Sequence, residues 1–176
     1  MDLDLRRLRQ MHKRLPADLA VLMVERAALA MERNGHSSGV YLSLEIQGMV
    51  SDACLRWPAP QMTHISQHDR DRITEDGAEA VALAVANQDR GWKVIRRLQR
   101  GERADWLLES GGSDIRRLVA LEISGMDRGD IKSRLSEKLK QVAMSTDVDE
   151  RWASVVSFRK PRAALRAAAT RRLHGN

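Results

Sequence analysis

Residues 118–125 read LVALEISG, a run that is apolar at nearly every position rather than at alternate ones. A strand apolar on both faces belongs in the middle of a sheet that carries helices on both sides. The chain must therefore fold as an α/β layer structure. Glu122 is the only charge in this run. An ionised carboxylate buried without partners costs several kcal/mol, so such a group has a raised pKa, pairs with a cation, or holds a metal. Arg96 and Arg97, on the neighbouring predicted strand, are the candidates for an ion pair.

The surrounding pattern supplies the rest of the sheet. WKVIRRL, ADWLLE, RLVALEIS and ASVVSF read as strands, with a Gly-Gly-Ser turn at 111–113 joining the second to the third. An Ala/Val-rich helix, TEDGAEAVALAVANQ, precedes them, and a helix from about Asp130 to Met144 precedes the last. The order is α-β-β-β-α-β. Upstream, residues 2–14 have the apolar spacing of a docking helix through Leu3, Leu5, Leu8 and Met11. A second helix is expected after Pro16, with Asp18 as its N-cap and its stop at Asn34-Gly35. GVYLSLEI and ACLRW, joined by a turn at Gly48, read as a hairpin.

Asp105 opens the strand before the Gly-Gly turn, so the 105–125 hairpin is expected to bring its carboxylate to that of Glu122. Two hard oxygen ligands, completed by water and phosphate oxygens, suit Mg²⁺ or Mn²⁺. An ion so held lowers the pKa of a bound water and neutralises charge on a phosphodiester under attack.

The α-β-β-β-α-β order, with Asp105 on the second strand and Glu122 in the third, resembles the restriction-endonuclease-like PD-(D/E)xK superfamily of nucleases over residues 72–160. The resemblance implies an α/β fold with an αβββαβ core and an N-terminal helical and β-hairpin extension. It divides the chain into 1–65, the extension; 66–160, the nuclease-like core; and 161–176, a basic tail. It also implies a Mg²⁺- or Mn²⁺-dependent endonuclease acting on DNA, in a setting such as defence against foreign DNA. The other implied outcome is an inactive subunit that binds nucleic acid or a protein. Members often act as homodimers.

The family's metal-binding acids fall on Asp105 and Glu122, and its first-helix acid on Glu79 or Glu75. Glu79 shares a helical stripe with Leu83 and Ala86, whereas Glu75 reads as a first-turn acid favoured by the helix dipole alone. Two positions depart from the family pattern. Ala104 precedes Asp105, and Ser124 stands where the family has a lysine. Some members draw that lysine from the following helix. Taking Leu135 as zero, Lys138 falls at about −60°, bordering the buried face, while Lys140 at about +140° faces solvent. Lys138 is thus the candidate for a relocated catalytic lysine.

The formal charge of +6 is local, because residues 159–176 hold six Arg or Lys and no acid. Read as a terminal helix begun by Pro161, this tail aligns Arg162, Arg166 and Arg171 as a stripe for phosphates. The lone Cys54 excludes an intrachain disulfide. No segment approaches the ~18 apolar residues of a membrane span. These features predict an intracellular, cytoplasmic protein. His64 and His68 have a zinc-compatible spacing but lack a third ligand at a recognised interval. The four tryptophans each begin or end a predicted strand and are expected in core or edge packing.

Overall fold

The computed structural model describes residues 1–61, 69–99, 101–110 and 116–169. Among them, eight strands form one mixed sheet, accompanied by four α-helices. The strands are β1 (Asp2–Asp4), β2 (Val40–Ile46), β3 (Met49–Arg56), β4 (Lys93–Arg97), β5 (Trp106–Glu109), β6 (Leu118–Met126), β7 (Glu150–Ser157) and β8 (Arg162–Ala167). The helices are α1 (Leu8–Met11), α2 (Ala17–Arg33), α3 (Asp69–Arg90) and α4 (Ile131–Val142). Strand order across the sheet is β1-β3-β2-β8-β7-β6-β5-β4. Strands β4, β5 and β6 form an antiparallel meander, and β7 joins β6 in parallel through α4, the connection a parallel neighbour requires.

As its composition demands, β6 is covered on both faces. Val119, Leu121 and Ile123 join the core beneath α2 and α3, whereas Ala120 and Met126 join a second cluster with Ile131, Leu135 and Val142 of α4. α3 lies close to its neighbours because small residues allow it. A β-carbon on Gly77 would sit 2.9 Å from Ala27 Cα of α2, and one on Gly125 would sit 2.1 Å from the Thr74 carbonyl oxygen. The hairpin β2–β3 closes through Gln47 (φ 52°) and Gly48 (φ 84°), the pair of left-handed residues that a tight, twist-matched hairpin turn needs. All four tryptophans are buried.

Four expectations are corrected. Residues 2–14 do not form one helix. Asp2–Asp4 pairs with β3 as a parallel strand, and only a 3-10 turn and the four-residue α1 follow, although Leu3, Leu5 and Leu8 are buried as their spacing implies. α2 begins at Ala17 with Pro16 as N-cap, which puts Asp18 in the first turn. The segment after Pro161 is β8 rather than a helix. Its alanines and arginines favour a helix locally, but the slot between β2 and β7 imposes a period of two, with Ala163 and Leu165 against one core and Ala164 against the other. Finally, α3 starts at Asp69, five residues earlier than the apolar pattern indicates, so Glu75 lies in its second turn. Strands from all three sequence segments share the single sheet. No described helix is long and apolar enough to cross a membrane. The His64/His68 pair, the Gly-Gly-Ser turn and Arg171 lie outside the described residues.

Candidate carboxylate and lysine site

The site forms where β5 and β6 part. Their ladder runs from Glu109 opposite Leu118 to Trp106 opposite Leu121, and the Asp105 N–H still donates to the Leu121 carbonyl at 3.1 Å. Beyond that point β6 continues and β5 does not. Side chains take over the vacant partner positions. Ile123 N–H donates to Asp105 Oδ2 at 2.7 Å, and Gly125 N–H donates to Glu75 Oε2 at 3.0 Å. The Ser124 hydroxyl also donates to Glu75 Oε1 at 3.4 Å. Two carboxylates thereby extend the ladder past the end of β5.

Glu122, one residue before Ile123 on β6, points to the face covered by α4. Lys138 Nζ donates to its Oε1 at 2.6 Å, and the same ammonium donates to Gln141 Oε1 at 3.3 Å. The helical arithmetic that put Lys138 at the border of the buried face thus agrees with its position. Arg96 and Arg97, the cations expected to pair with Glu122, go elsewhere: Arg96 to Glu102 at 2.6 Å and Arg97 to Glu79 at 2.6 Å. β4 lies two strands from β6, at the sheet edge, and its arginines meet the nearer acids. Glu79 also accepts from Trp106 Nε1 at 3.1 Å, and the Arg97 guanidinium lies 5.6 Å from the centre of the Trp106 ring.

A pocket of about 330 Å³ opens between α4 and the β4–β5 loop, lined by Leu98, Arg103, Ala104, Asp105, Glu122 and Gln141 among others. Its acids influence one another. Burial pushes Glu122 up to about 7, the nearby Asp105 charge adds to the rise, and the bond and charge of Lys138 oppose it. Burial likewise carries Glu79 to about 7 against the pull of Arg97, with Asp105 raising it further. Asp105 is raised by burial, opposed by the Ile123 N–H, Lys138 and Arg97.

Asp105, Glu122 and Lys138, singled out in the sequence, are therefore brought together, while Glu79 stands behind them, engaged by Arg97 and Trp106. Glu75, discounted as a first-turn acid, is the group the sequence reading missed. Its spacing of four residues from Glu79, which puts both on one helix face, was the available signal.

No known protein family, no curated protein and no solved structure matches this chain.

Among the described residues no group of three or more His, Cys, Asp or Glu side chains is arranged to hold a metal ion. Mg²⁺, however, keeps several waters and takes one or two carboxylates plus substrate phosphates rather than an all-protein cage. Asp105 Oδ1 and Glu122 Oε2 accept no hydrogen bond from the described residues, since Ile123 N–H reaches only Oδ2 and Lys138 only Oε1. Carboxylate oxygens of this kind are the ligand chemistry that a hard divalent ion takes. Arg162 and Arg166, expected to carry phosphates, both bridge Glu45 of β2, at 2.8 and 2.7 Å.

Proposed function

We propose that this chain is a nuclease, hydrolysing phosphodiester bonds of nucleic acid, with DNA as the first substrate to test, and dependent on Mg²⁺ or Mn²⁺. The observation that carries the reading is the convergence of Asp105, Glu122 and Lys138 at the point where β5 and β6 separate. The order α3-β4-β5-β6-α4-β7 supports it, being that of the restriction-endonuclease-like core the sequence resembles.

Asp105 and Glu122 would hold the metal through Oδ1 and Oε2. When bound, such an ion makes a nucleophilic water available near neutral pH and offsets charge on the phosphate. The chain's own contributions follow from the hydrogen bonds. Ile123 N–H fixes the Asp105 carboxylate, and Lys138 fixes that of Glu122. The Lys138 ammonium, bonded to Glu122, would orient a water and stabilise negative charge that grows on a phosphate oxygen. Glu79, clamped by Arg97 and Trp106, holds the strand ends on which Asp105 sits. The described lining residues include no serine, cysteine or histidine, so in this reading water is the nucleophile: its oxygen would bond to phosphorus as the P–O bond to the sugar oxygen breaks, and that oxygen would leave with a proton.

Plasmid and single-strand cleavage with Mg²⁺ or Mn²⁺ tests the reading, with folded Asp105→Asn and Glu122→Gln as controls. Metal-dependent cutting that both substitutions abolish is expected. Cutting that survives both would move the chemistry elsewhere.

A second reading has its own observation. Ser124 replaces the family's lysine and is committed to Glu75, and Lys138 is already paired. That arrangement also suits a catalytically inactive subunit that binds nucleic acid or a protein partner. Absence of cutting with retained nucleic-acid binding would favour it.

A further inference from the structure

Strands β4, β6 and β7 run in one direction, so their C-terminal ends, the start of α3 and the start of α4 share one end of the sheet. Contact of Thr74 and Glu75 with Gly125 anchors the start of α3 there. Cations gather at this end. Arg70 and Arg72 stand on the first turns of α3, Arg128 follows β6, and Arg159 and Lys160 form the turn between β7 and β8. All five are exposed, and none has an ion-pair partner among the described residues. Arg128 and Arg159 leave adjacent strands side by side, two residues beyond the paired Met126 and Ser157.

Several acids beside these cations are committed. Asp127 accepts from Arg33 and Asn34, Asp130 caps α4 through Ser133 N–H, and Glu75 holds Gly125. Asp71 is exposed and has no ion-pair partner among the described residues. At the opposite end several cations are paired, Arg90 with Asp89, Arg116 with Glu109 and Arg117 with Glu150. An excess of unpaired cations beside the splayed strands is a surface for a polyanion.

We propose that this end, presented by Arg70, Arg72, Arg128, Arg159 and Lys160, receives the phosphate backbone of a polynucleotide. The choice of polyanion rests on the nuclease reading of the neighbouring carboxylates. β8 runs the other way, so Ala168 and Ala169 leave the sheet at its opposite end. Arg162 and Arg166 are held by Glu45 on the way.

The test is equilibrium binding of a labelled DNA duplex to the full chain in EDTA, as a function of salt, so that cleavage plays no part. For Arg128→Gln/Arg159→Gln/Lys160→Gln, affinity is expected to fall at least tenfold, and the slope of log K against log salt to flatten by about three. Arg128→Lys/Arg159→Lys should retain most of the affinity, and Arg171→Gln/Arg172→Gln should bind like the parent. If the triple variant does not fold, Arg70→Gln/Arg72→Gln on the exposed helix turn gives the same readout. Parental binding by the neutralised variants, or loss confined to the tail variant, overturns the proposal. So does a parent that ignores DNA but binds phosphatidylserine vesicles. Intact, end-dependent binding without any cleavage would defeat the catalytic reading and leave this surface standing.

Discussion

Lys138 Nζ lies 2.6 Å from Glu122 Oε1, joining the third turn of α4 to the middle of β6. Glu122 is 3% exposed at its side chain and Lys138 18%, so neither charge is well served by water alone. Lys138→Met strands a buried carboxylate, and a destabilisation of about 3 kcal/mol is expected in urea unfolding. Glu122→Gln/Lys138→Met should recover much of that loss. In the nuclease assay, by contrast, the double variant should stay inactive, with cleavage down about 100-fold or more. Recovery of stability without activity separates the lysine's chemical role from its structural one.

Metal binding has a signature independent of cleavage. A ligand that binds only the folded state stabilises by about 2.7 kcal/mol at a hundred times its Kd. Mg²⁺ at pH 8 should therefore raise the melting temperature of the parent, and of neither Asp105→Asn nor Glu122→Gln. Equal shifts in all three proteins would mean that the ion sits elsewhere.

Glu79 links stability to pH. Its folded-state value of about 7 stands above the ordinary 4.5, chiefly through burial. Between these values the folded chain binds more protons than the unfolded chain, so stability falls as pH rises from 4.5 to 7 and the full cost remains above 7. The span is worth about 3 kcal/mol for this residue. Glu79→Gln removes the cost and leaves only the half-exposed Arg97 unpaired. The difference in unfolding free energy between variant and parent should grow in the variant's favour from pH 4.5 to pH 7.5. A difference independent of pH would show that Glu79 is ionised throughout.

Gly125 tests the packing beneath the site. A methyl group there meets the Thr74 carbonyl oxygen at 2.1 Å, and neither backbone can yield without moving α3. Gly125→Ala should cost about 1–3 kcal/mol and weaken the Glu75 contact with β6. Gly129→Ala sits outside that contact, so comparing the two by denaturant unfolding separates overpacking from backbone effects. Parental stability in Gly125→Ala would show that α3 can shift freely.

The legible part of this fold was periodic. The doubly apolar run at Leu118–Gly125 marked β6 as a covered strand, and the 100° repeat put Lys138 at the border of the buried face of α4. Residues whose structure is set by distant partners were not legible. Arg162–Ala167 has the composition of a helix and becomes a strand because β2 and β7 leave a slot of strand geometry. Glu75 looked like a helix-dipole acid because the polar residues that begin α3 carry no apolar period. Its partners, the N–H of Gly125 and the hydroxyl of Ser124, become visible only when α3 is laid against β6.

The central place of β8 also sets an order of events. β2 is paired on one side by β3, and on the other only by β8, which follows it by more than a hundred residues. During synthesis the hairpin β2–β3 and the β4–β7 half must wait as two separate sheets, each with an open inner edge, until Arg162–Ala167 has cleared the ribosome. Its arrival closes both edges at once, so the sheet becomes continuous through a long-range closure that follows the formation of its two halves.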